Sequence, residues 1–522
     1  MTDFALPLFL FLLLALLAIF LLRNRLVNRQ LPPLANRHTK PQPSPELLAT
    51  TRLAQAFAPL IATHPGLSGT FPLPHGMDAF AARILLAEAA EQTLDVQYYI
   101  WNRDLAGMLL LQALYQAAER GVHVRLLLDD NNTRGMDQLL AALNSHPHIE
   151  VRLFNPFLYR KIRALGYLTD FERLNRRMHN KSFSVDRQAC IIGGRNIGDE
   201  YLGLGEHMQF ADLDVLAIGP VVEEVEDDFE RYWNCESAYG AEQILPPAAV
   251  DSIAPLIRQF THQYACSPYA VHTDTMLQSP FARQLLESTL PFVWTKVCMV
   301  SDDPAKGLGK APYFRQIPQQ LEDVIGMPRS ELFLVSPYFV PTRTGTKMLR
   351  RLARRGVDIS ILTNSLESTD VFVVHAGYAK SRRPLLRAGI TLFELKGSSL
   401  IPAVRDRGLT GSSASSLHAK TFSVDRERLF IGSFNFDPRS ARLNTEMGFV
   451  IHSPLLAAQL ADIFTDQLAE QAYRVKLSPG GLLRWREQGK DGVVMHTSEP
   501  RTSFWRRTGV RIVSWLPIEW LL

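Results

Sequence analysis

Residues 178–196 read MHNKSFSVDRQACIIGGRN, and residues 417–435 read LHAKTFSVDRERLFIGSFN. Each stretch carries His-x-Lys, an Asp five residues after the Lys, and then Gly and Asn. The first set is His179, Lys181, Asp186, Gly193, Gly194 and Asn196; the second is His418, Lys420, Asp425, Gly432, Ser433 and Asn435. Residues i and i+2 of a strand share a face, so each His projects beside its Lys. The Val-Asp-Arg steps at 185–187 and 424–426 read as turns of hairpins that return through ACIIGG and RLFIGS. The flanks repeat as well. TLDVQYYIW (93–101) matches ELFLVSPYFV (331–340), AAERGVHVRLLLDD (117–130) matches LARRGVDISILTNS (352–365), and DLDVLAIGP (212–220) matches EMGFVIHSP (446–454). The order in both halves is apolar strand, helix, apolar strand, hairpin, strand. Such alternation predicts two α/β domains, each sheet buried on both faces, paired about a pseudo-two-fold.

The duplicated pattern suits phosphodiester chemistry without a metal. One imidazole must be neutral to attack phosphorus, and the other must be protonated to give its proton to the leaving oxygen. Two lysines and two asparagines can hold the phosphoryl oxygens. Small residues at Gly194 and Ser433 let backbone amides approach a ligand, and the Ser433 hydroxyl adds a donor. One motif supplies half of these parts, so the halves must meet at a single site. Asp186 and Asp425 read either as members of that site or as braces of their hairpins. Spacing alone does not rank the two histidines.

Composition narrows the function further. Lys plus Arg is 56 and Asp plus Glu is 52, a net charge of +4. That is too small for a nucleic-acid polycation, so no nucleic-acid partner is expected. Hydrophobic residues make up 46% of the 522, enough for large cores. The four cysteines, Cys190, Cys235, Cys266 and Cys298, form no CxxC and fit a reducing compartment. His146 and His148 flank Pro147 and read as loop, not as a metal pair. Asp129 and Asp130 read as a solvated strand end. There is no Walker loop, GxGxxG or GxSxG, and neither a metal nor a cofactor is expected.

Residues 4–22, FALPLFLFLLLALLAIFLL, hold nineteen positions without a charge. At about 1.5 Å per residue they reach about 28 Å, the thickness of a bilayer core, and predict a transmembrane helix. Arg23, Arg25, Arg29, Arg37 and Lys40 follow it, which puts the rest of the chain on the cytoplasmic side. Prolines at 32, 33, 41, 43 and 45 predict an extended tether. The tail, SFWRRTGVRIVSWLPIEWLL (503–522), mixes Trp and Arg. It reads equally as a membrane-interfacial segment or as a closing element packed on the second domain.

The paired motifs resemble the two HxK(x)4D motifs of the phospholipase D superfamily over roughly residues 65–480. Within it, DVQYYIW, LLLDDNN, LNRRMHNKSF, GGRNIGDEY and DLDVLAIGP resemble bacterial cardiolipin synthases, most closely the synthase C branch. The resemblance implies two phospholipase D-like α/β/α sandwich domains behind one N-terminal transmembrane helix. The expected layout is a transmembrane helix at 4–22, a basic Pro-rich tether at 23–60, a first domain at 61–245, a linker at 246–289, a second domain at 290–480 and a tail at 481–522. It implies a phosphatidyltransferase of the bacterial inner (cytoplasmic) membrane that joins phosphatidylglycerol to a second phospholipid, phosphatidylglycerol or phosphatidylethanolamine. His179 would be the nucleophile that forms a phosphatidyl-histidine, and His418 the general acid and then base. Lys181, Lys420, Asp186 and Asp425 would complete the catalytic set, and Asn196, Asn435, Ser433 and Gly194 would bind phosphate. Asp212 and Glu446 fit the place of an acid that orients a histidine. The rival activities are hydrolysis to phosphatidic acid and, more remotely, a nuclease. The donor lipid and any activating protein partner stay open.

Overall fold

The computed structural model describes residues 31–34, 43–204, 209–248, 252–265, 278–397, 415–489 and 492–516. The expected transmembrane helix at 4–22 lies outside these residues, and no helix among those described is long and apolar enough to cross a membrane.

Two large mixed sheets organise the chain. In the first, strands run in the order Val293–Thr295, Ser68–Leu73, Asp214–Ile218, Ala189–Gly193, Ser182–Val185, Thr93–Tyr98, His123–Asp129, Ile149–Phe154, Ala238–Gly240. The second begins with Val297–Ser301, Met447–Ile451, Arg428–Gly432, Lys420–Val424, Glu331–Val335, Asp358–Asn364 and Thr391–Leu395. The centre of each sheet is parallel, because helices Leu105–Glu119 and Thr342–Arg354 carry the chain back between neighbouring strands. Each motif hairpin then adds antiparallel to the first of those strands. The same order in both sheets is the structural form of the sequence repeat.

The hairpins turn as the sequence requires. Asp186 and Arg187 have φ of 50° and 56°, and Asp425 and Arg426 have φ of 56° and 52°. Two successive left-handed residues make the turn whose twist matches paired strands. Aspartate tolerates that conformation when its carboxylate is held by nearby backbone, as it is in both turns.

The two sheets meet through a shared apolar layer. Ile192, Val215 and Ala217 from the first pack with Leu429, Ile431, Met447 and Phe449 from the second, all of them buried. Each of the larger side chains contributes about 1.5–3 kcal/mol relative to exposure, so this layer fixes one half against the other.

The stretch expected as tether is more structured than its prolines predict. Helix Arg52–Ala62 starts at a Thr51 cap and buries Leu53 and Phe57 in the first core. Helices Ile253–Ala265 and Pro280–Leu286, in the expected linker, bury Ile253, Ile257, Phe281 and Leu285 in the same core.

Candidate active site

Each histidine strand is stitched to the opposite half. The His179 N–H donates to the Thr445 carbonyl at 2.9 Å, and the Thr445 N–H donates to the Arg177 carbonyl at 3.0 Å. On the other side Ser415–Leu417 pairs in parallel with Gln209–Ala211, and the His418 N–H donates to the Ala211 carbonyl at 2.8 Å. The side chains repeat this crossing. His179 Nδ1 lies 2.7 Å from Glu446 Oε2, and His418 Nδ1 lies 2.5 Å from Asp212 Oδ2. The two acids are register equivalents, since Gly193 pairs with Asp214 and Gly432 with Gly448. A carboxylate on Nδ1 keeps the proton there and leaves Nε2 as the working nitrogen.

Both rings are buried, with residue exposures of 7% and 6%. Tyr99 stands edge-on to His179 at 4.8 Å between ring centres; Tyr201 and Phe210 each stand 5.2 Å from His418. The lysines fold back on their own strands. Lys181 Nζ donates to the His179 carbonyl at 2.6 Å, and the Lys420 ammonium donates to the His418 carbonyl.

Burial sets the protonation pattern. It pushes the Lys181 ammonium down to about 7 against the opposing pull of Glu446, and it lowers Lys420 as well. Burial, followed by Lys181 and Lys420, holds His179 well below the ordinary imidazole value. Burial and Lys420 bring His418 to about 4, while Asp212 works in the other direction. Both imidazoles are therefore neutral in the free site at pH 7, whereas the sequence reading has one of them charged. An incoming phosphate must supply the charge that favours an imidazolium.

The carboxylates are not alike. Glu446 receives the Ser433 hydroxyl at 2.5 Å and the Ser440 hydroxyl at 2.7 Å, and burial leaves its carboxyl above the usual range. Among the described residues, Asp212 receives the Leu213 N–H, at 2.8 Å, besides His418. Burial pushes Asp212 upward, but His418, Lys420 and Arg195 outweigh it, and its carboxyl lies below the usual range. Among the described residues, Asp212 thus has His418 as its one side-chain hydrogen-bond partner, whereas Glu446 has three, His179, Ser433 and Ser440.

Several expected site residues lie elsewhere or do other work. Asp186 accepts the backbone N–H groups of Glu91, Gln92 and Thr93 at 2.8–3.0 Å, and Asp425 those of Arg329, Ser330 and Glu331 at 2.8–3.1 Å. They brace the turn ends of the hairpins and touch neither histidine. The Ser433 hydroxyl is engaged by Glu446. The Gly194 N–H is engaged by the Leu213 carbonyl at 3.1 Å, and a Cβ there would fall 2.1 Å from Asp212 Oδ1. Glycine stands at 194 so that the Asp212 carboxylate can approach. Asn196 Oδ1 accepts from the Ile100 N–H at 3.2 Å, and its buried Nδ2 has no partner among the described residues. Asn435 is buried beside Ser433.

Asp129 and Asp130 are not a solvated strand end. Both are fully buried, Asp129 against the Arg177 guanidinium and the Met178 N–H, Asp130 against Arg160, Arg163 and the Phe157 N–H. Asp129 thereby fixes the entry to the first motif. His146 lies in a loop and pairs with Glu119. Sequence reasoning missed Asp302 and Lys306. Asp302 accepts the Glu446 N–H at 2.9 Å, and Lys306 Nζ bridges Asp302 and the Ser440 carbonyl. They lie outside the repeat, so no motif marked them. Tyr99 and Tyr201 stand within DVQYYIW and GGRNIGDEY, stretches that carried the resemblance but not a stated role.

Known proteins resemble this chain. The family described as "Cardiolipin synthase, PLD-like domain" matches residues 84–233 and 321–468. The chain is 53% identical to cardiolipin synthase C of Escherichia coli (strain K12) over 479 residues, 90% of this chain and 100% of that protein. It is 25% identical to the major cardiolipin synthase of Bacillus subtilis (strain 168) over 398 residues, 75% of this chain and 67% of that one. Among solved structures, phosphatidylserine synthase of Haemophilus influenzae Rd KW20 superposes with a TM-score of 0.52 at 15% identity, covering 81% of this chain and 92% of that chain, which is a likeness of fold. With both halves matched by one domain family and a full-length relative at this identity, the chain belongs to the cardiolipin synthase family of phospholipase D-like proteins.

Proposed function

We propose that the protein is a phosphatidyltransferase that makes cardiolipin, and that the two crossed His–carboxylate pairs are its catalytic machinery. His179 Nε2 attacks the phosphorus of a donor phospholipid. The P–O bond to the headgroup breaks, and the departing oxygen takes a proton from His418 Nε2. A hydroxyl of phosphatidylglycerol then gives its proton to the neutral His418, and its oxygen attacks the phosphatidyl-His179. The P–N bond breaks, His179 is restored, and cardiolipin leaves. Atoms and charge balance with free glycerol as co-product from a phosphatidylglycerol donor, or ethanolamine from phosphatidylethanolamine.

The observation that carries this assignment is the unequal pair of acids. The charge that Asp212 concentrates on His418 favours an imidazolium there. Glu446, shared with two serines, favours a neutral His179. The acid and the nucleophile follow from that difference. Lys181, Lys420, Asn196 and Asn435 hold the phosphoryl oxygens. Tyr99, Tyr201 and Phe210 keep water from the rings, as transfer rather than hydrolysis requires. The apolar segment 4–22 anchors the chain in the bacterial cytoplasmic membrane, with both domains on the cytoplasmic side.

The test is a product assay with phosphatidylglycerol and phosphatidylethanolamine carrying separate labels. Cardiolipin holding one label or both identifies the donor. Phosphatidic acid as the main product would replace the transferase reading with a hydrolase.

A further inference from the structure

The last described helix, Phe504–Trp515, is built inside out. Ser503 caps it by accepting the Arg506 N–H at 3.2 Å. One side packs on helix Phe372–Ala379, where Val510 and Val513 meet Phe372, Ala376 and Ala379. At 100° per residue, Phe504, Trp505, Ile512, Trp515 and Leu516 fall together on the other side within an arc of about 120°. All five are exposed, Trp505 and Trp515 by 79% and 77%. Helices of soluble proteins turn such residues inward, and a cluster of this size facing water marks a contact surface.

The helix stands beside the cleft. Arg506 Nη2 donates to the Thr369 carbonyl at 3.3 Å. The next residue, Asp370, accepts the Tyr338 hydroxyl at 2.7 Å, and its charge helps keep the Lys420 ammonium protonated. One hydrogen bond and one peptide step therefore link the helix to Asp370, whose charge acts on Lys420.

We propose that the exposed face of this helix docks into a lipid bilayer and holds the mouth of the catalytic cleft against the membrane surface. The partner follows from the chemistry of the face. Trp505 and Trp515 lie within its apolar arc, about 80° apart at 100° per residue, and Arg507 and Arg511 border it, the composition of a segment lying in the headgroup region. Both arginines favour an anionic surface. A second copy of the chain is the rival occupant, and the measurement in detergent below separates the two. The orientation toward the cleft rests on the lipid substrate proposed above; the docking itself does not.

The experiment uses the full chain in vesicles of phosphatidylglycerol brominated on its acyl chains. Wild-type tryptophan fluorescence is expected to be quenched, and Trp505→Phe/Trp515→Phe to remove most of that quenching. Equal quenching of both proteins would overturn the proposal. In parallel, Trp505→Ala/Trp515→Ala is expected to lower turnover of bilayer phosphatidylglycerol by about tenfold and to leave turnover of monomeric dihexanoyl-phosphatidylglycerol unchanged. Equal loss on both substrates, or conversion of a dimer to monomers in detergent, would overturn it too. Quenching with no cardiolipin formed would uphold the docking and fail the reaction.

Discussion

His418 is held at 2.5 Å by Asp212, an acid 206 residues earlier in the chain and on the other half of the duplication. Asparagine at 212 keeps the shape but removes the charge that favours an imidazolium. Asp212→Asn is expected to lower kcat by about 10²–10⁴ with little change in KM, by analogy with the buried acid behind a catalytic histidine. Steady-state lipid product assays check this. A kcat within threefold of wild type would show that the acid has no part in catalysis.

Gly194 tests the same pair from the other side. A serine Cβ at 194 would overlap Asp212 Oδ1, so the carboxylate must swing away from His418. Gly194→Ser is therefore expected to reduce kcat about as strongly as Asp212→Asn. The combination Gly194→Ser/Asp212→Glu copies Ser433 and Glu446 of the second half and is expected to recover at least about tenfold of that loss. Independent, additive effects of the two changes would refute the coupling.

The aspartates of the repeated motif should behave as structural residues. Asp186→Ala leaves three backbone N–H groups without their carboxylate acceptor and is expected to cost about 2 kcal/mol of stability. Activity per folded molecule should stay within a few-fold of wild type. Thermal unfolding together with active-site titration separates the two quantities. A loss of kcat in fully folded protein would return Asp186 to the catalytic set.

Lys181 is expected to give the reaction an alkaline limit. Its pKa, lowered to about 7 by burial, means that the ammonium is present below pH 7 and lost above it. The profile of kcat/KM for phosphatidylglycerol should fall as pH rises through about 7. Bound phosphate favours the charged lysine, so the kcat profile should fall at higher pH than kcat/KM. Profiles flat from pH 6 to 9, with chemistry limiting, would contradict this.

The His-x-Lys pairs, the hairpins and the strand–helix order were legible because each has a short-range signature: alternation, a turn residue, a helical period. The crossing was not. Nothing local in DLDVLAIGP says that Asp212 serves the distant His418 rather than the nearby His179; that depends on how the halves pack through Ile192, Val215, Ile431 and Phe449. Asp129 and Asp130 looked like a strand end facing water because their partners, Arg177, Arg160 and Arg163, come from thirty to fifty residues on.

The exchange of acids between halves also bears on ancestry. A polypeptide with one repeat would own a histidine but borrow its carboxylate, and so could react only as a pair of identical chains with matched centres. Fusion into one gene released that constraint. Glutamate with serine on one side and aspartate with glycine on the other are a divergence that a symmetric pair could not have acquired, and under the proposed mechanism they would let one imidazole specialise in attack and its twin in moving the proton.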